Sequence, residues 1–143
     1  MDLSCYKELV YQIVGASFEV YNNLGFGLAE AIYNEALHLE LIDNDIPNQS
    51  EVYLPCYYKE HKLEKSYRMD LVVGDIIVEI KSTYDIISEH RGQLFNYLRL
   101  TKKPIGLLIN FGEKRLHVER FGYFADRNEC LLLDKDLNPR KLL

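Results

Sequence analysis

The feature that most constrains this chain is the pair Gly74-Asp75, set between two β-prone runs, Ser66–Val73 and Ile76–Ser82. A two-residue link of this kind predicts a β-hairpin. The register then follows. Val73 faces Ile76, Val72 faces Ile77, Leu71 faces Val78, Asp70 faces Glu79 and Arg68 faces Lys81. Strand side chains alternate between faces. One face carries Met69, Leu71, Val73, Ile76, Val78 and Ile80, all apolar, and is expected to pack on the core. The other carries Arg68, Asp70, Val72, Ile77, Glu79 and Lys81, apolar beside the turn and charged at the far end.

Directly opposed residues hold their Cβ atoms about 4.5–5.5 Å apart. Two carboxylates at that distance repel and need a shared proton, a cationic side chain or a metal. Mg²⁺ suits such a site, since it takes hard oxygen ligands and keeps several waters. The Ile80 carbonyl, between Glu79 and Lys81, is a further candidate ligand. Lys81 is placed to hold a water or to offset charge developing on a phosphate. The plainer alternative is a surface face on which Arg68 and Lys81 pair with Asp70 and Glu79, worth only ~0–1 kcal/mol per pair.

Around the hairpin the pattern predicts an α/β domain. Residues 6–23 place Leu9, Val10, Ile13, Val14, Ser17, Val20 and Tyr21 on one helical stripe, continued by Leu24. A Gly-rich break at Gly25-Phe26-Gly27 separates it from a second helix over 28–44, whose inner side is read as Leu28, Ile32, Ala36 and Leu39, with Tyr33, Leu37 and Leu41 beside it. Glu51–Tyr58 reads as a strand, and Pro55 within it predicts an edge or a bulge. Residues 59–62 read as a polar turn, Glu89–Thr101 as a third helix, Ile105–Asn110 as a buried strand and Leu116–Phe121 as another. The tail is expected to add a hairpin or strand through Cys130–Leu133. The helix between the third and fourth strands is long enough to make those strands parallel.

Two other groups bear on the site. Gln93 and Tyr97 stand four apart and share a helix face, where an amide and a phenol can orient water or phosphate. Glu30 opens the second helix, as a dipole-complementing acid or as a third carboxylate at the site. Glu19 and Glu35 are weaker candidates for that third acid. A net charge of −5 argues against a general nucleic-acid coat but not against an enzyme with a carboxylate site and a local basic rim. Arg68, Lys65, Arg91, Arg99, Lys102 and Lys103 are candidates for that rim. Cys5, Cys56 and Cys130 are too far apart in sequence for a C-x-x-C site and are read as reduced thiols of a cytoplasmic protein. No stretch suggests a membrane span or a leader.

Several stretches together resemble a known family. They are Gly15–Glu19, Asn22–Tyr33, Tyr67–Val73, Val78–Lys81 and Leu107–Gly112. They look like the GxxExxY proteins, of the PD-(D/E)XK nuclease superfamily. The resemblance covers about residues 9–121 of a single domain and leaves 122–143 as a C-terminal extension. It implies a restriction-endonuclease-like fold, a central mixed sheet flanked by helices. It also implies a nuclease dependent on Mg²⁺ or Mn²⁺ that hydrolyses DNA, in repair, recombination or defence. The superfamily motif falls on Asp70, Glu79 and Lys81, with Met69 where a proline is usual. The resemblance puts Glu30 with Asp70, Glu79 and Ile80 among the metal ligands, and Gln93 and Tyr97 in the Q-x-x-x-Y element of recombination-type exonucleases. Two alternatives stay open: an inert module of the same fold that binds nucleic acid or a protein, and a homodimer formed through an edge strand.

Overall fold

A computed structural model describes residues 2–140. The element order is α1 (Lys7–Leu24), α2 (Glu30–Asp43), β1 (Gln49–Tyr58), β2 (His61–Val73), β3 (Ile76–Lys81), α3 (Ser88–Thr101), β4 (Ile105–Asn110), β5 (His117–Phe124) and β6 (Glu129–Leu133). All six strands form one sheet in sequence order, β1 to β6. Only β3 and β4 pair in parallel, as α3 crosses between them; every other pair is antiparallel. The chain therefore has the expected mixed α/β architecture.

The sheet is covered on both faces. On one, α1 and α2 pack Val10, Ile13, Val20, Tyr33, Leu37 and Leu41 against Leu71, Val73, Val78, Ile80, Leu107 and Ile109. On the other, α3 packs Leu94, Tyr97 and Leu98 against Met69, Val72, Ile77, Leu108 and Phe121. Burying each large apolar side chain contributes roughly 1.5–3 kcal/mol. These two layers fix the central strands between them, and β4 is buried along its whole length.

Three expectations need correction. The second helix begins at Glu30, and its buried side is Tyr33, Asn34, Leu37 and Leu41. Leu28, Ile32 and Leu39 are exposed instead. The reason is that Tyr33 enters the core and stacks on Phe111, ring centroids 4.4 Å apart, which sets the rotation of the helix. Second, β2 starts at His61, so the turn after β1 is only Lys59-Glu60 and the strand is far longer than its apolar part. Third, Met69 does not share a face with Leu71: it packs with α3, whereas Leu71 packs with α1 and α2. Residues two apart on a regular strand point the same way, so the sidedness of β2 reverses at Asp70.

Other expectations hold. β1 is an edge strand with a register shift between Pro55 and Tyr57. The hairpin pairs Val73 with Ile76, Val72 with Ile77 and Leu71 with Val78. Gly74 has φ 59° there, a left-handed conformation that glycine adopts without cost. The tail joins the sheet, as Arg120–Phe124 pair with Glu129–Leu133.

Candidate active site

The β2–β3 ladder ends at the Leu71–Val78 rung. The next rung, Asp70 with Glu79, does not form. Beyond it β2 follows β1 alone. Opposite Asp70 on β1, Glu51 takes a left-handed φ of 54° between the pairs Ser50–Leu71 and Val52–Met69. This local irregularity re-aims a side chain, as bulges beside active sites do. The Asp70 carboxylate fills the missing rung: its Oδ2 accepts the Ile80 backbone N–H at 2.8 Å. In a strand, the N–H and C=O of one residue point to the same edge. The Ile80 carbonyl is therefore also directed into the fork between β2 and β3.

Glu79 lies in the same fork, nearly inaccessible to solvent. Its carboxyl is pushed up to about 10, first by burial, then by hydrogen bonding with Asp70 and by the Asp70 charge. Lys81 acts in the opposite direction, and Glu30 adds a small further push. Asp70, Lys81 and Glu30 thus all act on the Glu79 carboxyl. The energetics are those of two acids forced together, in which one must hold a proton unless a cation sits between them.

Glu30 is exposed in the first turn of α2. It is positioned by the loop before it. The Tyr33 hydroxyl donates to the Gly25 carbonyl at 2.6 Å and accepts the Leu28 N–H at 3.1 Å. The Gly27 N–H donates to the Phe111 carbonyl at 3.0 Å. Ser82 Oγ, just beyond β3, donates to the Leu28 carbonyl. The start of α2 is thereby tied to the ends of β3 and β4. Glu19 and Glu35 are exposed too, but unlike Glu30 neither acts on the Glu79 carboxyl, and Glu19 is bonded to Asn23 on its own helix. Among the described residues, no three His, Cys, Asp and Glu side chains converge closely enough to hold a metal ion by themselves. The oxygen groups that meet in the fork are those of Asp70, Glu79 and the Ile80 carbonyl, and Glu30 is not part of a three-carboxylate cluster with them.

Gln93 and Tyr97 act as a pair. Gln93 Nε2 donates to Tyr97 Oη at 2.8 Å, and Tyr97 Oη donates to the Arg68 carbonyl at 3.2 Å. Burial and then the charge of Glu79 hold the Tyr97 phenol well above its ordinary value. Tyr97 therefore reaches the fork from α3 and grips β2 two residues before Asp70.

Residues not anticipated from sequence complete the frame. Asn110 is fully buried at the end of β4. Its Oδ1 accepts the N–H groups of Thr83 and Gly112, both at 3.0 Å, and its Nδ2 donates to the Thr83 carbonyl at 3.0 Å and to Glu113 Oε2 at 2.7 Å. A Cβ at Gly112 would lie 2.3 Å from the backbone N and O of Thr83, so only glycine admits this approach. Phe111 N–H donates to the Lys81 carbonyl at 2.8 Å. Asn110, Phe111 and Gly112 thus fix the chain from Lys81 to Thr83. The one signal for this in the sequence is an asparagine closing an otherwise apolar run.

Much of the expected basic rim is engaged elsewhere. Arg91 makes a two-pronged bond to Glu119 at 2.7 Å on both arms. Arg99 donates to Asn96, Lys102 to the Tyr123 hydroxyl and Lys103 to the Gly74 carbonyl. Lys65 and Arg68 remain exposed along β2, Arg68 beside Glu51 at 3.7 Å.

A strand fork that gathers two carboxylates, a backbone carbonyl and a lysine is chemistry for a hard divalent cation and a phosphate. A family model for the PD-(D/E)XK nuclease superfamily matches residues 7–121. The chain belongs to that superfamily, whose members are in general hydrolytic nucleases. Comparison with curated proteins and with solved structures gave no match. Residues 122–140 lie beyond the matched region and supply the end of β5 and all of β6. No helix among the described residues is long and apolar enough to cross a membrane.

Proposed function

We propose that the protein is a divalent-metal-dependent nuclease that hydrolyses phosphodiester bonds of DNA. The observation that carries this reading is the Asp70–Ile80 hydrogen bond, which brings Asp70 into reach of a buried Glu79 at the end of the β2–β3 ladder. The donors fit Mg²⁺ or Mn²⁺, being all oxygen and including one carboxyl that burial and its neighbour otherwise keep protonated. Asp70, Glu79 and the Ile80 carbonyl would hold the ion, with Glu30 as an outer carboxylate. A bound ion supplies Lewis-acid stabilisation of the phosphoryl oxygens and acidifies water.

The chain's own groups do the rest. Lys81 holds the attacking water or offsets charge on the phosphate, its strand pinned by Asn110 and Phe111. Gln93 and Tyr97 fix the course of β2, and so the position of Asp70. The test is cleavage of labelled single- and double-stranded DNA with Mg²⁺ or Mn²⁺ by the wild type and Lys81→Ala. Loss of one such electrostatic group should lower the rate by about 10²-fold or more. Equal rates in the two proteins would remove the catalytic assignment. An inert binding module would show no Mn²⁺ site by calorimetry that Asp70→Asn abolishes.

A further inference from the structure

After the Leu71–Val78 rung, β2 and β1 continue as a two-stranded arm away from β3. Every residue from Tyr57 to Ser66 is exposed. Along β1 exposure alternates without a break from Gln49 to Tyr57, so Tyr53, Pro55 and Tyr57 share the open face. Val52 and Leu54 face the α3 side instead. Opposed residues in a ladder point the same way. The partners of Tyr53, Pro55 and Tyr57 are Arg68, Ser66 and Lys62, none of them acidic.

Two aromatic–cation pairs, Tyr53 with Arg68 and Tyr57 with Lys62, therefore repeat along one face. Tyr53 is 69% and Tyr57 61% exposed, large for rings on an ordered strand. On β1 four residues separate Tyr53 from Tyr57, about 13 Å, and on β2 the register shift leaves Arg68 and Lys62 six residues apart, so the pairs span more than one nucleotide. In a chain of net charge −5, the arm from Tyr57 to Arg68 carries four cations, Lys59, Lys62, Lys65 and Arg68, against two acids, Glu60 and Glu64. A ring accepts a base by stacking, and a cation beside it meets the phosphate, which is how proteins hold single strands without reading sequence. Glu51 at the base of the arm holds Arg68 only through an exposed contact of 3.7 Å, which costs little to exchange for a phosphate.

We propose that this face of the β1–β2 arm binds single-stranded DNA and feeds it along β2 toward Asp70. The proposal rests on the nuclease reading for its choice of nucleic acid, and its test separates the two. The probe is a fluorescein-labelled oligothymidylate, titrated by anisotropy into the full chain carrying Lys81→Ala, in Mg²⁺. Adding Tyr53→Ala and Tyr57→Ala should weaken binding tenfold or more, while Tyr53→Phe with Tyr57→Phe should retain it. Adding Lys62→Ala and Arg68→Ala should flatten the dependence of log affinity on log salt by roughly 1.4, the value for two phosphate contacts to a single strand. Unchanged affinity in the double alanine variant, with its circular dichroism intact, would overturn the proposal. So would a loss confined to self-association, seen by light scattering, because the face would then belong to a second copy. If the tyrosine effect appears but Lys81→Ala cleaves as the wild type does, the arm stands and the assigned chemistry fails.

Discussion

Asn110 pairs with Thr83 as a strand would: its amide accepts the Thr83 N–H and donates to the Thr83 carbonyl, both at 3.0 Å. A side chain thus replaces a rung of sheet at the point where β3 ends, two residues past Lys81. Asn110→Ala would leave buried backbone groups without partners, each costing about 1–3 kcal/mol. We expect a stability loss of roughly 2–4 kcal/mol in urea unfolding. Among molecules still folded, cleavage should fall further than Mn²⁺ affinity, because Lys81 is displaced while Asp70 and Glu79 keep their places. A folded variant with wild-type turnover would show that this clamp is structural only.

Glu79 gives the metal-free protein one component of pH dependence whose sign is fixed by its burial. Its folded carboxyl titrates near 10 against an ordinary 4.5. The folded state therefore holds an extra proton between those values, and the Glu79 contribution to stability is fully present below about 4.5 and is lost as the pH rises toward 10. Glu79→Gln removes the titrating group. In a chelator at pH 8 the variant should be more stable than wild type by on the order of 2 kcal/mol, with the gap closing near pH 4. Urea midpoints across that range measure it, and a constant gap would refute the assignment.

Tyr97→Phe removes a hydroxyl that receives from Gln93 and gives to the Arg68 carbonyl. Both partners lose a bond in a half-buried setting, so stability should drop by about 1–2 kcal/mol. With Asp70 less well held, the Mn²⁺ titration should weaken severalfold, and Gln93→Leu should have a similar but smaller effect. Tyr97→Phe with unaltered ion affinity would limit the pair to packing.

The central strands were legible because their chemistry is local. Gly74-Asp75 fixes a turn, the turn fixes Leu71 against Val78, and the continuous apolar run Ile105–Asn110 marks a strand buried on both faces. The far half of β2 was not legible because it is exposed on both sides, so His61 to Ser66 show no alternation to read. Simple alternation puts Met69 on the wrong face because the strand breaks its own rhythm at Asp70. The pattern alone does not orient the second helix, because Leu28, Ile32 and Leu39 are as apolar as the residues that enter the core, and the Tyr33–Phe111 stack decides between them. Gln93 and Tyr97 are marked by their spacing and Glu30 by its place in the first helical turn, but the bonds that tie Tyr97 to Arg68 and the start of α2 to β3 and β4 span distant segments that no spacing reveals.

The end of the β2–β3 ladder at Leu71 and Val78 sets a conflict between durability and chemistry. Extending the pairing by one rung would knit the sheet more tightly, but it would spend the Ile80 N–H on a backbone partner and turn Asp70 away from Glu79. Substitutions that zip this junction shut should thus yield a hardier protein with nowhere to seat an ion. At this seam, where backbone pairing stops, two carboxyl groups are kept facing one another.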